Sequence, residues 1–172
     1  MTHSSSSDDT SLTRGGRKLA AAIEQFALAT AARGAAVIDV GASSGGFTDV
    51  WLRAGAARVT AIDVGVAQLA AHLRADPRVT SMEGTNFRTL ALGEAPGPFD
   101  VFSVDVSFAS ARSQLRALAF RLRPGAQGVV LVKPQFELPA RRVRQGAVSD
   151  PGLRAEAVAR VREKAESLGF RV

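Results

Sequence analysis

The chain has 172 residues, a formal net charge of +6 and a hydrophobic content of 46%, and it contains no cysteine. This size predicts one globular domain with a sizeable core, and the missing cysteine excludes disulfide bonds and thiolate metal sites. Two histidines, His3 and His72, leave little scope for a metal centre, so no metal is expected. No apolar run approaches the roughly 20 residues that span a bilayer, and the amino terminus does not have the pattern of a signal peptide. A cytoplasmic location and no membrane partner are therefore expected.

The amino terminus is predicted to be a disordered serine-rich tail over residues 1–11, ahead of one domain over residues 12–172. Hydrophobic periodicity and glycine or proline punctuation predict alternating helices and strands in that domain. The predicted strands are Val37 to Val40, Ala57 to Val64, Arg78 to Met82, Phe99 to Val106 and Gly128 to Val132. A further strand-like segment is predicted to start at Phe170. The predicted helices are Leu19 to Ala32, Phe47 to Ala54, Val66 to Leu73, Phe108 to Leu122 and, capped by Asp150, Pro151 to Leu168. This alternation predicts an α/β fold, a parallel sheet with helices on both faces.

The segment VIDVGASSGGF, from Val37 to Phe47, has the pattern of a strand, a glycine turn and the start of a helix. In parallel α/β sheets this layout receives a nucleotide-like ligand, although the glycines could serve only the tight turn. Asp63 ends the next strand, 22 residues after Gly41, where a carboxylate can bind ribose hydroxyls. The glycine spacing matches neither the dinucleotide fingerprint nor the P-loop, so S-adenosylmethionine fits better than a pyrophosphate. Asp39 could lie near the ammonium group of that ligand or could instead cap the turn.

Two further polar residues follow the fourth and fifth predicted strands. Asp105 comes after FDVFSV, and Lys133 comes after GVVLV, so both should face the ligand crevice at the carboxyl edge of the sheet. A structural salt bridge between them is the simpler interpretation. However, the chain has 19 arginines and only three lysines, and lysine can lose its proton where arginine cannot. This contrast favours a chemical role for Lys133.

Positive charge is concentrated between Val101 and Val148, where eight basic residues face only two acidic ones. Part of it lies on one face of a predicted helix and part in the segment that follows Lys133. These arginines form either a solvated face or a phosphate-contacting rim, and they are Arg112, Arg116 and Arg123 on the helix with Arg141, Arg142 and Arg144 after it.

Several motifs together resemble one known family. The matching segments run in family order and include RGGRKL, DVGASSGGFTDV, AIDVGVAQL, DVSF, LVKPQFE and GAVSDP. The chain resembles the methyltransferase domain of the TlyA (hemolysin A) family, ribosomal RNA 2′-O-methyltransferases related to the FtsJ/RrmJ-like enzymes. The resemblance implies a Rossmann-like, class I S-adenosylmethionine-dependent methyltransferase fold. It also implies ribosomal RNA, or a ribosomal subunit, as the partner.

The resemblance implies site residues as well. Three members of the family's Lys-Asp-Lys-Glu catalytic set match, namely Lys18, Asp105 and Lys133, with Lys133 as the base that activates a cytidine ribose 2′-hydroxyl. The fourth member and the last strands of the sheet are expected beyond Val172, so the methyltransferase domain is expected to be incomplete at its carboxyl end. The family's S4-type RNA-binding domain is expected to be missing. The candidate cofactor-binding residues are Asp39, Gly41, Ser43, Gly45, Gly46, Phe47, Asp63, Val64, Asn86 and Asp105.

The leading hypothesis is an S-adenosylmethionine-dependent 2′-O-methyltransferase of ribosomal RNA. The alternative is a cofactor-binding RNA-binding module whose catalysis is impaired, because the fourth catalytic residue is missing. A nucleotide-dependent oxidoreductase is a third hypothesis, but the glycine spacing and the lysine at the strand end disfavour it.

Overall fold

A five-stranded parallel sheet forms the centre of the protein in a computed structural model, which describes residues 12–95, 97–143 and 148–172. The predicted tail over residues 1–11 lies outside these ranges. The strand order is β3-β2-β1-β4-β5, and every neighbouring pair is parallel. The predicted α/β class is therefore confirmed. The strands are β1 (Ala36–Val40), β2 (Arg58–Ile62), β3 (Val79–Met82), β4 (Phe99–Val104) and β5 (Leu122–Val130).

Helices cover both faces of the sheet and create two apolar clusters. Every residue of the central strand β1 is buried, and its side chains alternate between the two clusters, as a strand covered on both faces requires. One cluster contains Val37 with Leu19 and Trp51, and the other contains Ile38 with Leu115. The helices are α1 (Arg14–Gln25), α2 (Ala29–Ala32), α3 (Gly46–Arg53), α4 (Ala71–Arg74), α5 (Arg112–Ala119), α6 (Pro134–Glu137) and α7 (Pro151–Glu166).

The prediction of one continuous helix from Leu19 to Ala32 was wrong at its start and in the middle, whereas its end at Ala32 coincides with the end of α2. Helix α1 begins at Arg14, where Thr13 caps it by accepting a hydrogen bond from Gly16 N. It ends at Gln25, and Ala27 then adopts a positive φ of 53° before α2 begins. Phe26, which was expected on the buried face, is 61% exposed because it lies at this break.

The predicted helix from Val66 to Leu73 was also wrong over most of its length. Residues 63–70 form a loop, and only Ala71–Arg74 are helical. The carboxylate of Glu83, just after β3, accepts hydrogen bonds from Gln68 N at 2.6 Å and Leu69 N at 3.0 Å. Because these two N–H groups donate to Glu83, they need no helical hydrogen bonds, and the segment after β2 remains a loop beside the sheet edge.

At the carboxyl-terminal side, the helix predicted from Phe108 to Leu122 is limited to α5. Strand β5 begins already at Leu122, so Pro124 and Gly125 lie inside the strand, next to a register shift between β4 and β5. The cap of α7 is confirmed, because Asp150 Oδ1 accepts a hydrogen bond from Leu153 N at 2.9 Å. Phe170 starts no strand, and its ring packs edge-on against Phe102 with centroids 5.8 Å apart.

Candidate active site

A cavity of about 780 Å³ lies at the carboxyl ends of β1, β2 and β4, where ligands bind in open parallel sheets. Its volume is in the range of roughly 300–1,000 Å³ that small-molecule and cofactor sites occupy. The loops after β1, β2, β3 and β4 all contribute to its walls. Six of the predicted cofactor-binding residues line the cavity, namely Gly41, Ser43, Asp63, Val64, Asn86 and Asp105.

The glycine turn brings the ends of β1 and β4 into close contact. Gly41 has a φ of +86°, and a β-carbon at this position would lie 2.6 Å from the carbonyl oxygen of Asp105. Asp105 N in turn donates a hydrogen bond to Val40 O at 2.9 Å. Only glycine fits here, and the backbone of the turn therefore forms part of the cavity wall itself.

Asp63 connects two loops that line the cavity. Its carboxylate accepts hydrogen bonds from Ser43 N and from Gly65 N, each at 2.8 Å. Each carboxylate oxygen has a second lone pair, so Asp63 can still accept a hydrogen bond from a ligand hydroxyl. The predicted position of Asp63 beside a ligand is compatible with this geometry, and the residue also shapes the loops around that ligand.

Asp39 is fully buried beneath the turn rather than among the residues that line the cavity. It accepts hydrogen bonds from Thr48 Oγ1 at 2.8 Å and from Ser103 Oγ at 2.7 Å, and Ser103 accepts one from Trp51 Nε1 at 2.9 Å. Burial raises the pKa of Asp39 to about 6, and the charge of Asp105 acts in the same direction, against these hydrogen bonds. This network fixes α3 against β1 and β4.

The other predicted cofactor residues of the turn lie behind the cavity wall. Gly45 faces the side chains of Leu69 and Leu73, and Gly46 faces Thr13 at the start of α1. Phe47 is 4% exposed and belongs to the apolar cluster on that side of the sheet. These three residues are not part of the cavity lining, so their predicted contact with a cofactor stays a prediction.

Lys133 and Asp105 meet at the edge of the cavity. Lys133 Nζ lies 2.6 Å from Asp105 Oδ1 and donates a hydrogen bond to Ser107 Oγ at 2.8 Å. The contact with Asp105 is an ion pair, since Oδ1 receives no hydrogen bond from any of the described residues. Both side chains are about one-fifth exposed. Asp105 and Ser107 line the cavity, so the amino group of Lys133 is held beside it by two lining residues.

The third predicted catalytic residue, Lys18, lies on an exposed part of α1. This helix packs on α3 through Gly16, whose β-carbon would lie 3.1 Å from Gly46 O. Within the described ranges, no hydrogen bond or ion pair joins Lys18 to Asp105 or Lys133. Its catalytic role stays a prediction.

A buried arginine that sequence reasoning missed supports the wall after β3. Arg121 is 5% exposed, its guanidinium lies 5.2 Å from the ring centroid of Phe87, and it donates hydrogen bonds to Leu90 O and to Ala117 O. Burial lowers the pKa of Arg121. Phe87 lines the cavity beside Asn86, so Arg121 fixes this wall from behind. The arginine-rich composition hides this residue, because nothing in the sequence separates it from its solvated neighbours.

A second missed residue is Phe108, at the rim of the cavity. Its side chain is 93% exposed, its φ is +61°, and its ring contacts that of Phe136 with centroids 5.7 Å apart. A bulky residue at positive φ is a backbone outlier of the kind that occurs at functional sites. The sequence signal was its place within DVSF, directly after Asp105.

No cluster of metal-ligating side chains is found over residues 12–95, 97–143 and 148–172. In the same ranges no helix is both long enough and apolar enough to cross a membrane.

The sequence pattern of FtsJ-like methyltransferases matches residues 12–172, which includes every residue of the cavity and of the Lys133–Asp105 pair. The chain belongs to the FtsJ-like methyltransferase family. The recognition of this family from the motifs is therefore confirmed.

Both the named relatives and the similar solved structures agree with the FtsJ-like assignment. The chain is 46% identical over 160 residues to the 16S/23S rRNA (cytidine-2′-O)-methyltransferase TlyA of Mycobacterium tuberculosis, covering 92% of this chain and 59% of that protein. It is 43% identical, with a TM-score of 0.88, to a candidate hemolysin from Streptococcus thermophilus, covering 93% of this chain and 58% of the other. The chain thus spans less than two thirds of either relative.

A more distant structure supports the fold alone. An S-adenosylmethionine-dependent methyltransferase from Mesorhizobium loti is 20% identical with a TM-score of 0.61, over 89% of this chain and 83% of the other. The predicted Rossmann-like methyltransferase fold is confirmed for this FtsJ-like chain.

Proposed function

We propose that this chain is the catalytic domain of an S-adenosylmethionine-dependent enzyme that methylates a ribose 2′-hydroxyl of cytidine in ribosomal RNA. The observation that carries the proposal is the Lys133–Asp105 ion pair of 2.6 Å at the edge of a cofactor-sized cavity. The TlyA name of the Mycobacterium tuberculosis relative supplies the substrate class. A ribosomal RNA substrate would be met in the cytoplasm, as RNA or as an assembled ribosomal subunit.

The residues present fit S-adenosylmethionine. The close approach at Gly41 presents bare backbone to the cavity, Asp63 offers carboxylate oxygens, and Asn86 offers a side-chain amide. Asn86 Oδ1 already accepts a hydrogen bond from Arg88 N at 3.2 Å, which leaves its two amide N–H donors for a ligand. We assign Asp63 to the ribose hydroxyls and Asn86 to the adenine. When bound, this cofactor supplies a methyl group activated by a sulfonium.

The chain's own residues then have to align the acceptor and remove its proton. A ribose hydroxyl is a weak nucleophile until a base takes its proton. In this proposal the base is Lys133 as the free amine, after the ammonium that pairs with Asp105 has released its own proton to solvent. Asp105 and Ser107 hold the Lys133 amino group in one orientation through the ion pair and the hydrogen bond. Such positioning contributes much of the rate of a displacement reaction, because reacting groups must be in line.

The basic segment between β4 and α7 offers a surface for RNA. Arg112 is paired with Glu137, Arg123 with Asp100 and Arg142 with Glu156, so these three charges are partly neutralised. Arg116 and Arg141 are exposed and form no ion pair within the described residues, whereas Arg144 lies outside those residues. We propose Arg116 and Arg141 as phosphate contacts, a narrower set than the phosphate-contacting rim that was one of the two alternatives from the sequence.

The function is tested by incubating the purified protein with S-adenosylmethionine that carries a tritiated methyl group and with 16S rRNA, 23S rRNA or assembled subunits. We expect label in ribosomal RNA, in a dinucleotide that resists alkali, since a 2′-O-methyl group blocks cleavage of the adjacent phosphodiester. Label recovered in a free base would contradict the assignment of the acceptor. Binding of RNA and cofactor with no transfer on any substrate would favour the non-catalytic alternative.

The role of Asp63 makes a separate prediction. The Asp63→Ala variant should bind S-adenosylmethionine about tenfold or more weakly, because it loses the ribose acceptor and the two backbone hydrogen bonds that shape the loops. Isothermal titration calorimetry measures this effect directly. The control is Asp49→Ala, which removes the exposed pair with Arg53 on α3 and should leave affinity unchanged. Equal affinities of the Asp63 variant and wild type would refute the assignment.

A further inference from the structure

Glu137 is a buried carboxylate that the proposed mechanism does not use. It is the last residue of α6, and its side chain is only 1% exposed. The carboxylate accepts hydrogen bonds from Ser110 Oγ, from Ala111 N at 2.6 Å and from Arg112 Nε at 3.0 Å. Arg112 also donates a hydrogen bond to the backbone oxygen of Glu137 at 3.3 Å. The donors to this carboxylate among the described residues, Ser110, Ala111 and Arg112, thus lie just before α5 or at its first residue.

These contacts join the same two segments that hold the Lys133–Asp105 pair. Residues 133–137 follow β5 and carry Lys133 at one end and Glu137 at the other. Residues 105–112 follow β4 and carry Asp105 at one end and the donors to Glu137 at the other. The segments are therefore joined at both ends, by the contacts of Lys133 with Asp105 and Ser107 and by those of Glu137, with the Phe108–Phe136 ring contact between them. Contacts at both ends fix the spacing and the relative rotation of the segments, which a contact at one end cannot do.

From this geometry we propose that Glu137 is a positioning residue that holds Lys133 against Asp105 and the cavity edge. The inference rests on the proposed methyl transfer for its catalytic consequence, but the contacts themselves do not depend on it. A buried ion pair adds little net stability compared with apolar packing, whereas its directed hydrogen bonds define a geometry. We therefore assign to Glu137 the role of fixing the distance between residues 105–112 and residues 133–137.

The expected effect follows from the sensitivity of catalysis to alignment. In Glu137→Gln the side chain keeps its shape but loses its charge. Its NH₂ group cannot accept the hydrogen bonds that a carboxylate oxygen accepts in wild type, so donors of the other segment lose their acceptor. The segments then separate slightly, and a shift of about 1 Å can cost up to about 100-fold in rate. We expect kcat to fall about 10- to 30-fold, with KM for RNA within about threefold of wild type.

A second readout reports on Lys133 without any need for catalysis. The chain has only three lysines, Lys18, Lys133 and Lys164, so competitive labelling with acetic anhydride followed by peptide mass spectrometry resolves each amine. In wild type, Asp105 and Ser107 shield the Lys133 amine. In Glu137→Gln its labelling rate should rise at least threefold relative to Lys164. The matched control is Glu156→Gln on α7, which removes the charge of another glutamate paired with arginines, Arg142 and Arg160, and has no hydrogen bond to residues 105–112 within the described part of the chain.

The outcomes separate the two proposals. Wild type that transfers no methyl group refutes the proposed function, yet the labelling of Lys133 still tests the link to Glu137. Unchanged labelling of Lys133 in folded Glu137→Gln overturns the inference, as does an equal rise in Glu156→Gln. If Glu137→Gln fails to fold, Ser110→Ala removes a single hydrogen bond to the same carboxylate and should raise Lys133 labelling to a smaller extent. No rise in that variant would equally overturn the inference.

Discussion

Replacement of Lys133 with alanine should reduce kcat for methyl transfer by about 10²- to 10⁴-fold, the range that a general base typically contributes. The loss follows because the ribose hydroxyl would then have no positioned group to take its proton. Affinity for S-adenosylmethionine should change little, since Lys133 reaches the cavity only through Asp105 and Ser107. Single-turnover transfer of a labelled methyl group, with calorimetry of the cofactor, measures both quantities.

A second substitution at the same position separates a base from a fixed charge. Lys133→Arg keeps a cation that can pair with Asp105, but a guanidinium cannot lose its proton in proteins. This variant should be as inactive as Lys133→Ala, whereas Lys164→Ala, on the last turn of α7, should retain full activity. Substantial transfer by Lys133→Arg would mean that Lys133 contributes only charge, and the base would have to be sought elsewhere.

The second large effect concerns stability and Asp39. Its pKa is raised from 3.8 to about 6 in the folded protein, chiefly by burial, so ionisation of Asp39 opposes folding. The stability associated with the protonated form is fully present below pH 3.8 and is lost as pH rises through 6. Because 1.36 kcal/mol corresponds to one pKa unit, the full loss is about 3 kcal/mol, of which about 2 kcal/mol occurs between pH 4 and pH 7.

The Asp39→Asn variant should lack this loss, because an amide does not ionise and the hydroxyl of Thr48 can turn to accept its N–H. Relative to wild type, the free energy of unfolding of the variant should therefore rise by about 2 kcal/mol from pH 4 to pH 7. Urea unfolding at several pH values measures the difference, in which the titration of all other groups cancels. A difference that stays constant with pH would show that Asp39 is not protonated near pH 6.

The control for Asp39 is a carboxylate with the opposite shift. Hydrogen bonds from Arg78 lower the pKa of the half-buried Asp76 to about 2, so its ionised form stabilises the fold above pH 3.8. This contribution is lost as pH falls through 2. Asp76→Asn should thus become less stable relative to wild type as pH rises, which is the reverse of Asp39→Asn. For each variant, the stability difference from wild type is plotted against pH. A positive slope indicates a pKa raised by burial, and a negative slope indicates a pKa lowered by ion pairing.

The sheet could be predicted from the sequence because its strands are short apolar runs bounded by glycine and proline. The helices were harder, since their ends depend on distant groups. The loop after β2 has helical periodicity, yet Glu83 on another element captures Gln68 N and Leu69 N. Likewise, Pro124 and Gly125 predict a break, but pairing with β4 extends β5 across them. Tertiary hydrogen bonds of this kind leave no trace in local sequence.

The site could be predicted where it lies at strand ends, as with Asp63, Asp105 and Lys133, because the topology of a parallel sheet brings these positions together. Periodicity could not show which residues of the turn face inward. Asp39 precedes the glycines as a ligand-binding acid would, but its side chain points beneath α3, to Thr48 and Ser103. The sequence did not single out Arg121 or Glu137, because residue type alone does not show whether a charged side chain is buried or solvated.

The hydrogen bond between Trp51 and Ser103 gives the protein a built-in optical reporter. Trp51 is the sole tryptophan and the chain has no tyrosine, so ultraviolet-excited emission comes from one buried indole. That indole donates to Ser103, which donates to Asp39, directly beneath the glycine turn. Its emission wavelength should therefore follow both the ionisation of Asp39 and any movement of α3 when a ligand enters the cavity. We therefore expect ligand binding to be measurable as a change in Trp51 emission, without an added dye.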